Sequence, residues 1–367
     1  MGFSLDATLA RLDEGRRIGQ HLGGQLCVLR RGALVADLAF GDVRPGEPMT
    51  TAHRMLWLSS GKPVAALAIA QLWERGRLGL DDPVARHLPE FGAAGKEGVT
   101  VRHLLTHTAG LRMPEVGWPE SSWEEILAHI CAHRLEPRWV PGRKAGYHPM
   151  STWFVLGEIV RRLDGRDFPR YARDEIFLPL GMSDCWLGGM PDEEYERAQP
   201  WLAPLWRCEG EPEMRPWHSR ERLTRSSPGT NGCGPMRQLA RFYEMLRCGG
   251  ELDGVRLLAP QTVEALVARH RVGLFDHTFR AQLDWGLGVI VNSAWHGEPE
   301  MPYGYGPHAS SRTFGHSGAQ SSTGFCDPEP GLVVALAVNG MPSEATHRLR
   351  FHQILAALFE DLGLVGL

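Results

Sequence analysis

Ser59-Ser60-Gly61-Lys62 is the one place in this 367-residue chain where a serine stands three positions before a lysine, and an apolar stretch follows directly. On a helix, positions three apart share a face, so the Ser59 hydroxyl and the Lys62 amine can meet. Ser60 is two residues from the lysine and points elsewhere. Such a pair can perform nucleophilic catalysis: an uncharged amine takes the hydroxyl proton, and the oxygen attacks a carbonyl and carries the acyl group. Apolar walls and the positive field of a helix amino terminus both depress a lysine pKa, and free N–H groups there can hold an oxyanion. Pro63 fits the first helical turn, where an N–H has no partner. The same four residues also suit a plain helix start, with Ser59 as a cap and Lys62 reaching outward.

Two other patterns compete. Gly315-His316-Ser317-Gly318-Ala319 nearly spells the G-x-S-x-G elbow, which must run from strand into helix, yet Gly324 to Pro328 and Leu332 to Val338 read as turn and strand. His103 and His107 stand four apart, as two metal ligands on a helix would, but Leu104, Leu105 and Thr106 supply no catalytic glutamate. They read as core or capping histidines, and no metal or cofactor is expected.

The positioning elements follow from periodicity. An amphipathic helix over Leu5 to Gly19 precedes a hairpin, Gln25 to Phe40, turning at Arg30-Arg31-Gly32. Leu58 to Arg75 is apolar at nearly every turn, so its helix should be buried on most sides. Val84 to about Gly229 reads as helix and loop with little strand signal. Gln238 to Cys248 reads as a helix, Trp285 to Asn292, Ser321 to Phe325 and Gly331 to Asn339 as strands, and His352 to Leu362 as a closing helix. Strands therefore lie at both ends of the chain. The expected division is an α/β sandwich from 1–83 and 230–367 around a mostly helical 84–229, with the site in the cleft between them.

Composition narrows the partners. The chain is 43% hydrophobic and 22% charged with net charge −4, and no basic run marks a nucleic-acid or anionic-membrane surface. Small molecules remain. The first residues, Met1 to Asp6, lack a secretory pattern, and no window has the length of a membrane span, so a cytoplasmic location is expected. Seven scattered cysteines read as reduced packing residues. Of 39 basic residues only Lys62, Lys96 and Lys144 are lysines, which invites a role that arginine cannot fill, such as losing a proton.

The flanking sequence is more specific than any single motif. Ser59-Ser60-Gly61-Lys62 is followed by Gly79-Leu80-Asp81-Asp82-Pro83-Val84, then Val101 to Leu111 (VRHLLTHTAGL), Tyr147, Leu178-Pro179-Leu180-Gly181-Met182, Gly250 to Gly254 (GELDG) and Trp285-Gly286-Leu287-Gly288. This order, over nearly the whole chain, resembles the serine β-lactamase-like and penicillin-binding-protein superfamily: class C β-lactamases, DD-peptidases and family VIII carboxylesterases. The resemblance implies a β-lactamase/transpeptidase-like α+β fold, with a central antiparallel sheet flanked by helices.

It also implies further site residues. Tyr147, in Tyr147-His148-Pro149, takes the place of a second acid/base group, its phenol ionising more easily beside a lysine ammonium. The family's usual asparagine is Pro149 here, a departure that resembles the esterase branch, and the adjacent His148 is a candidate substrate contact. His316-Ser317-Gly318 stands where the family has K-T-G, so His316 would replace a fixed cation with a titratable one. Gly318 would let an acyl group lie along the strand, and the Ala319 N–H would complete an oxyanion hole with that of Ser59. Many of the twelve tryptophans fall in the helical half and suit an apolar pocket, while 301–311 would form its rim. The expected activity is hydrolysis of small carboxylic esters. Transacylation to an amine or alcohol, amidase or β-lactamase chemistry, and a non-catalytic binding protein are the alternatives, and oligomeric state is left open.

Overall fold

The computed structural model describes residues 4–113, 115–297 and 301–365; Met1 to Phe3 of the amino-terminal stretch lie outside them. Its centre is an eight-stranded antiparallel sheet drawn from the two ends of the chain. In order across the sheet the strands are Asp284–Trp285, Ile290–Val291, Phe314–Gly318, Ser322–Asp327, Leu332–Val338, β1 (Gly23–Arg30), β2 (Ala33–Arg44) and Glu47–Pro48. The central pairing sets Cys27 opposite Ala335 and Val28 opposite Val334. Leu332–Val338 is buried at every residue, which is why it reads as a continuous apolar run rather than an alternation.

One face carries α1 (Asp6–Arg17) and the closing helix Glu344–Asp361. That closing helix starts eight residues before the expected His352, because Ser343 Oγ accepts from the Thr346 N–H at 3.2 Å and caps it there. On the other side lies α2 (Lys62–Glu74), buried from Lys62 through Leu72. The helix begins one turn later than Leu58 suggests, since Ser59–Gly61 forms a tight 3-10 turn. α2 packs on Ser151–Asp164, whose burial runs unbroken from Ser151 to Val160.

Two differences from the sequence reading have local causes. The single strand expected over Trp285 to Asn292 is two short strands. Gly286 and Gly288 break it, and a Cβ on Gly288 would stand 2.5 Å from that of Ala66 on α2. The middle segment also carries short strands, Trp186–Leu187, Leu205–Arg207 and Glu213–Arg215, too brief to leave a periodic signature. Trp186–Leu187 joins Gly232–Gly234 and Met55–Leu58 in a small sheet beside the Ser59 turn. All seven cysteines are free, and Cys248 is the exposed one. No helix among the described residues is long and apolar enough to cross a membrane.

Candidate active site

Ser59 follows the strand Met55–Leu58 through a strained residue. Leu58 has φ +50° and ψ −129°, a conformation that side-chain-bearing residues adopt at a cost of about 1–3 kcal/mol. The turn lifts Ser59 out of the small sheet to the wall of a cleft. Ser60 is directed the other way, its Oγ 2.9 Å from Ser322 Oγ, which in turn donates to the Trp57 carbonyl at 2.7 Å.

Lys62, the first residue of α2, is fully buried. Its Nζ lies 2.9 Å from Ser59 Oγ, 2.9 Å from the Pro149 carbonyl and 2.6 Å from the Gly229 carbonyl. With no carboxylate bonded to it, burial holds its pKa well below the ordinary lysine value. Tyr147 completes the group, its hydroxyl donating to Ser59 Oγ at 2.8 Å. Burial pushes its pKa up, so the phenol is held protonated, contrary to the easier ionisation expected from the resemblance. Together the three side chains can deprotonate the serine on one side and supply a proton on the other.

Tyr147 is fixed by residues that the sequence did not disclose. Its N–H donates to Asp276 Oδ1 at 3.1 Å, and its carbonyl accepts from Thr278 Oγ1 at 3.1 Å. Asp276 is fully buried and paired with Arg271 at 2.9 Å, whose pKa burial lowers to about 10. The Tyr147 ring lies 4.7 Å from that of Phe279 and 4.8 Å from that of His107. Asp276 stands 129 positions beyond Tyr147, in the two-residue strand Phe275–Asp276 of a small hairpin, so no spacing could have linked them.

The Ser59 cleft encloses about 570 Å³ and is walled mainly by Leu56, Leu58, Trp118, Met150 and Trp217, with Glu115, Arg222, Thr230 and Asn231 as polar members. Tyr147 and Ala319 face it. The other predicted contacts do not, and each has a physical reason. His148 is buried behind the site: its Nε2 accepts from the Leu111 N–H at 2.9 Å and its Nδ1 lies 3.2 Å from His107 Nδ1, so it is a packing residue rather than a substrate contact. Burial pushes its pKa down to about 3. His316 is buried too, with Nδ1 bonded to the Ser317 carbonyl at 2.8 Å and its pKa lowered to about 3, chiefly by burial. It is therefore neutral near pH 7, not the titratable cation expected.

Ser317 turns away and donates to Thr323 Oγ1 at 2.9 Å. Its strand passes through a turn into Ser322–Asp327 rather than into a helix, which removes the elbow reading. Gly318 serves packing rather than an acyl group. A Cβ there would stand 2.3 Å from the Trp57 carbonyl and 3.1 Å from Leu58 Cβ, so its bare backbone lets the strand close on the Ser59 turn and brings Ala319 to the cleft. His103 caps Val101–Leu105, its Nδ1 accepting from the Thr100 N–H, while His107 lies beyond that helix at φ +57° with its Nδ1 accepting from the His148 N–H at 3.1 Å. The rim segment 301–311 contributes no residue to this cleft.

The fold and this serine, lysine and tyrosine arrangement define a β-lactamase/transpeptidase-like protein. Residues 6–359 match the Beta-lactamase family, and the chain belongs to it. It is 29% identical to the esterase/beta-lactamase LipL of Mycobacterium tuberculosis over 91% of this chain and 80% of that one. It is equally 29% identical to the esterase EstB of Burkholderia gladioli, over 95% of this chain and 96% of the relative. Among solved structures it is similar to a penicillin-binding protein homologue from Caulobacter crescentus, with 31% identity, a TM-score of 0.79 and 97% of each chain covered. Membership of this family, with esterases among the relatives, supports a hydrolase.

Proposed function

We propose that the protein is a serine esterase that forms an acyl-enzyme on Ser59 and hydrolyses small carboxylic esters with an apolar acyl or alcohol part. The observation that carries this is the position of Ser59 Oγ, 2.9 Å from a buried amine and 2.8 Å from a protonated phenol at the wall of a largely apolar cleft. Neutral Lys62 takes the Ser59 proton as the oxygen attacks the ester carbonyl. The N–H groups of Ser59 and Ala319 receive the developing oxyanion. Tyr147 gives its proton to the departing alkoxide and is reprotonated at the expense of the Lys62 ammonium. Water then attacks the acyl-serine, losing a proton to the same pair, and the carboxylic acid leaves.

The esterase names of LipL and EstB support this choice among the family's reactions. So does Pro149, which offers Lys62 a carbonyl but has no side-chain amide for recognising a penicillin-like amide. The same acyl-enzyme would serve transfer to an amine or alcohol, and product analysis with added acceptors separates the two. The test is a fluorophosphonate probe followed by intact mass, alongside hydrolysis of p-nitrophenyl butyrate and of a chromogenic cephalosporin. One adduct is expected on the native protein and none on Ser59→Ala, with ester turnover lost in parallel. An adduct that persists in Ser59→Ala contradicts the assignment, and a native protein inert to every acyl probe would make it a binding protein.

A further inference from the structure

We propose that Arg222 determines specificity in the Ser59 cleft by receiving a carboxylate on the substrate, so that the preferred esters are monoanions; this rests on the esterase reading above. Arg222 belongs to the short helix Arg220–Thr224 and lines the cleft. Its guanidinium carbon lies 5.0 Å from the ring centre of Trp118 and 5.9 Å from that of Trp217, and both indoles wall the same cleft. Cation–π contacts of this kind do not use the guanidinium N–H groups as hydrogen-bond donors to a carboxylate or carbonyl.

The neighbouring arginines show what those groups do when a partner is near. Arg220 pairs with Asp192 and Glu196, and Arg225 donates to the carbonyls of Pro119, Glu120 and Ser121. The Arg222 guanidinium has neither a carboxylate within 4.0 Å nor a hydrogen-bond acceptor among the described residues, although it is half-buried. Glu115, the other charged residue of the cleft wall, is exposed and makes no ion pair with it.

The site is also built in advance. Asn231 Nδ2 donates to the Arg222 carbonyl and to the Arg225 carbonyl, each at 2.8 Å, while the three Arg225 contacts secure the loop that carries Trp118. A guanidinium whose backbone and aromatic neighbours are already fixed loses little freedom on binding, and its planar edge matches a carboxylate with two parallel hydrogen bonds. Among the described residues that line the cleft Arg222 is the one cation, which gives such an anion one place to go.

The test compares kcat/KM within matched pairs: p-nitrophenyl hydrogen adipate against its methyl ester, with the charge on the acyl side, and 4-butyryloxybenzoate against its methyl ester, with the charge on the alcohol side. In the native protein the free acid of at least one pair is expected to be preferred by about tenfold, the order expected for one charge-assisted contact. That preference should shrink in high salt. Arg222→Gln should bring the ratio close to one, and Arg222→Lys should restore part of it. Because the ratio is taken within each variant, a smaller folded fraction does not alter it. Native ratios at or below one in both pairs, or a ratio unchanged in Arg222→Gln, would overturn the proposal while leaving ester hydrolysis intact. Cleavage of p-nitrophenyl butyrate but of none of the four would overturn this inference alone, whereas failure on p-nitrophenyl butyrate and all four would remove the esterase reading and this inference with it.

Discussion

Three oxygen atoms surround Lys62 Nζ, and their kinds matter more than their number. Two are the carbonyls of Pro149 and Gly229, which can only accept; the third is the Ser59 hydroxyl, which can donate. A neutral amine satisfies both carbonyls with its two N–H bonds and turns its lone pair to the hydroxyl. Lys96 is a useful contrast: it is also buried, but its three acceptors are the carbonyls of Ala93, Cys131 and His133, an ammonium's environment with no nucleophile in reach. The scarcity of lysine in the sequence pointed equally at both, and only the spacing to Ser59 told them apart. Arginine cannot give up its proton, so Lys62→Arg should lower kcat for ester hydrolysis by about a thousandfold. Ser59 labelling by the phosphonate would slow in parallel. A variant retaining more than about a tenth of the rate would place the base elsewhere.

At the level of elements, the site depends on close approach between segments remote in sequence. Gly318 lets its strand touch the Ser59 turn, and the strained Leu58 backbone holds that turn in place. Gly318→Ala should push Ala319 away from Ser59 and reduce kcat by about a hundredfold, because misplacement by an ångström suffices for that. An unchanged kcat, with the fold checked by circular dichroism, would mean the strand does not position the oxyanion donor. The pair Ser59 and Lys62 was legible because a helix fixes its spacing. Tyr147, Ala319 and the strand at His316 became legible through the ordered resemblance. Asp276, Arg271 and Asn231 were not, since a two-residue strand, a single bridge and a loop place them, and none of these is long enough to leave a period that relates a residue to its partner. His148 and His316 were misread for a related reason: their positions in motifs are real, but the direction of each ring is set by packing that the motif does not encode.

Across the whole molecule, one sheet gathers both chain ends, and the helices around it bury histidines that burial holds neutral near pH 7. His148 Nε2 accepts from the Leu111 N–H and His107 Nδ1 accepts from the His148 N–H, so protonation at either atom removes a bond as well as burying a charge. His107 titrates well below 6.5, and His148 and His316 near 3, each chiefly through burial. Between those values and 6.5 the unfolded chain binds more protons than the folded one, so stability is present above about pH 6.5 and is lost as pH falls toward 3. The melting temperature should therefore drop over that window, and His148→Gln should make the drop shallower. An equal slope in the variant would assign the acid sensitivity to other groups.

The claim on which the account turns is that Lys62 is uncharged when Ser59 reacts. Lysine labelled with 15N gives only three side-chain signals, because the chain has only Lys62, Lys96 and Lys144, and Lys62→Arg identifies the one of interest. Its titration can be set beside the acid limb of kcat/KM. The account predicts a Lys62 midpoint well below 10.5 that coincides with that limb, activity rising as the amine loses its proton. A Lys62 signal that stays protonated through the pH range where the enzyme is fully active would contradict it.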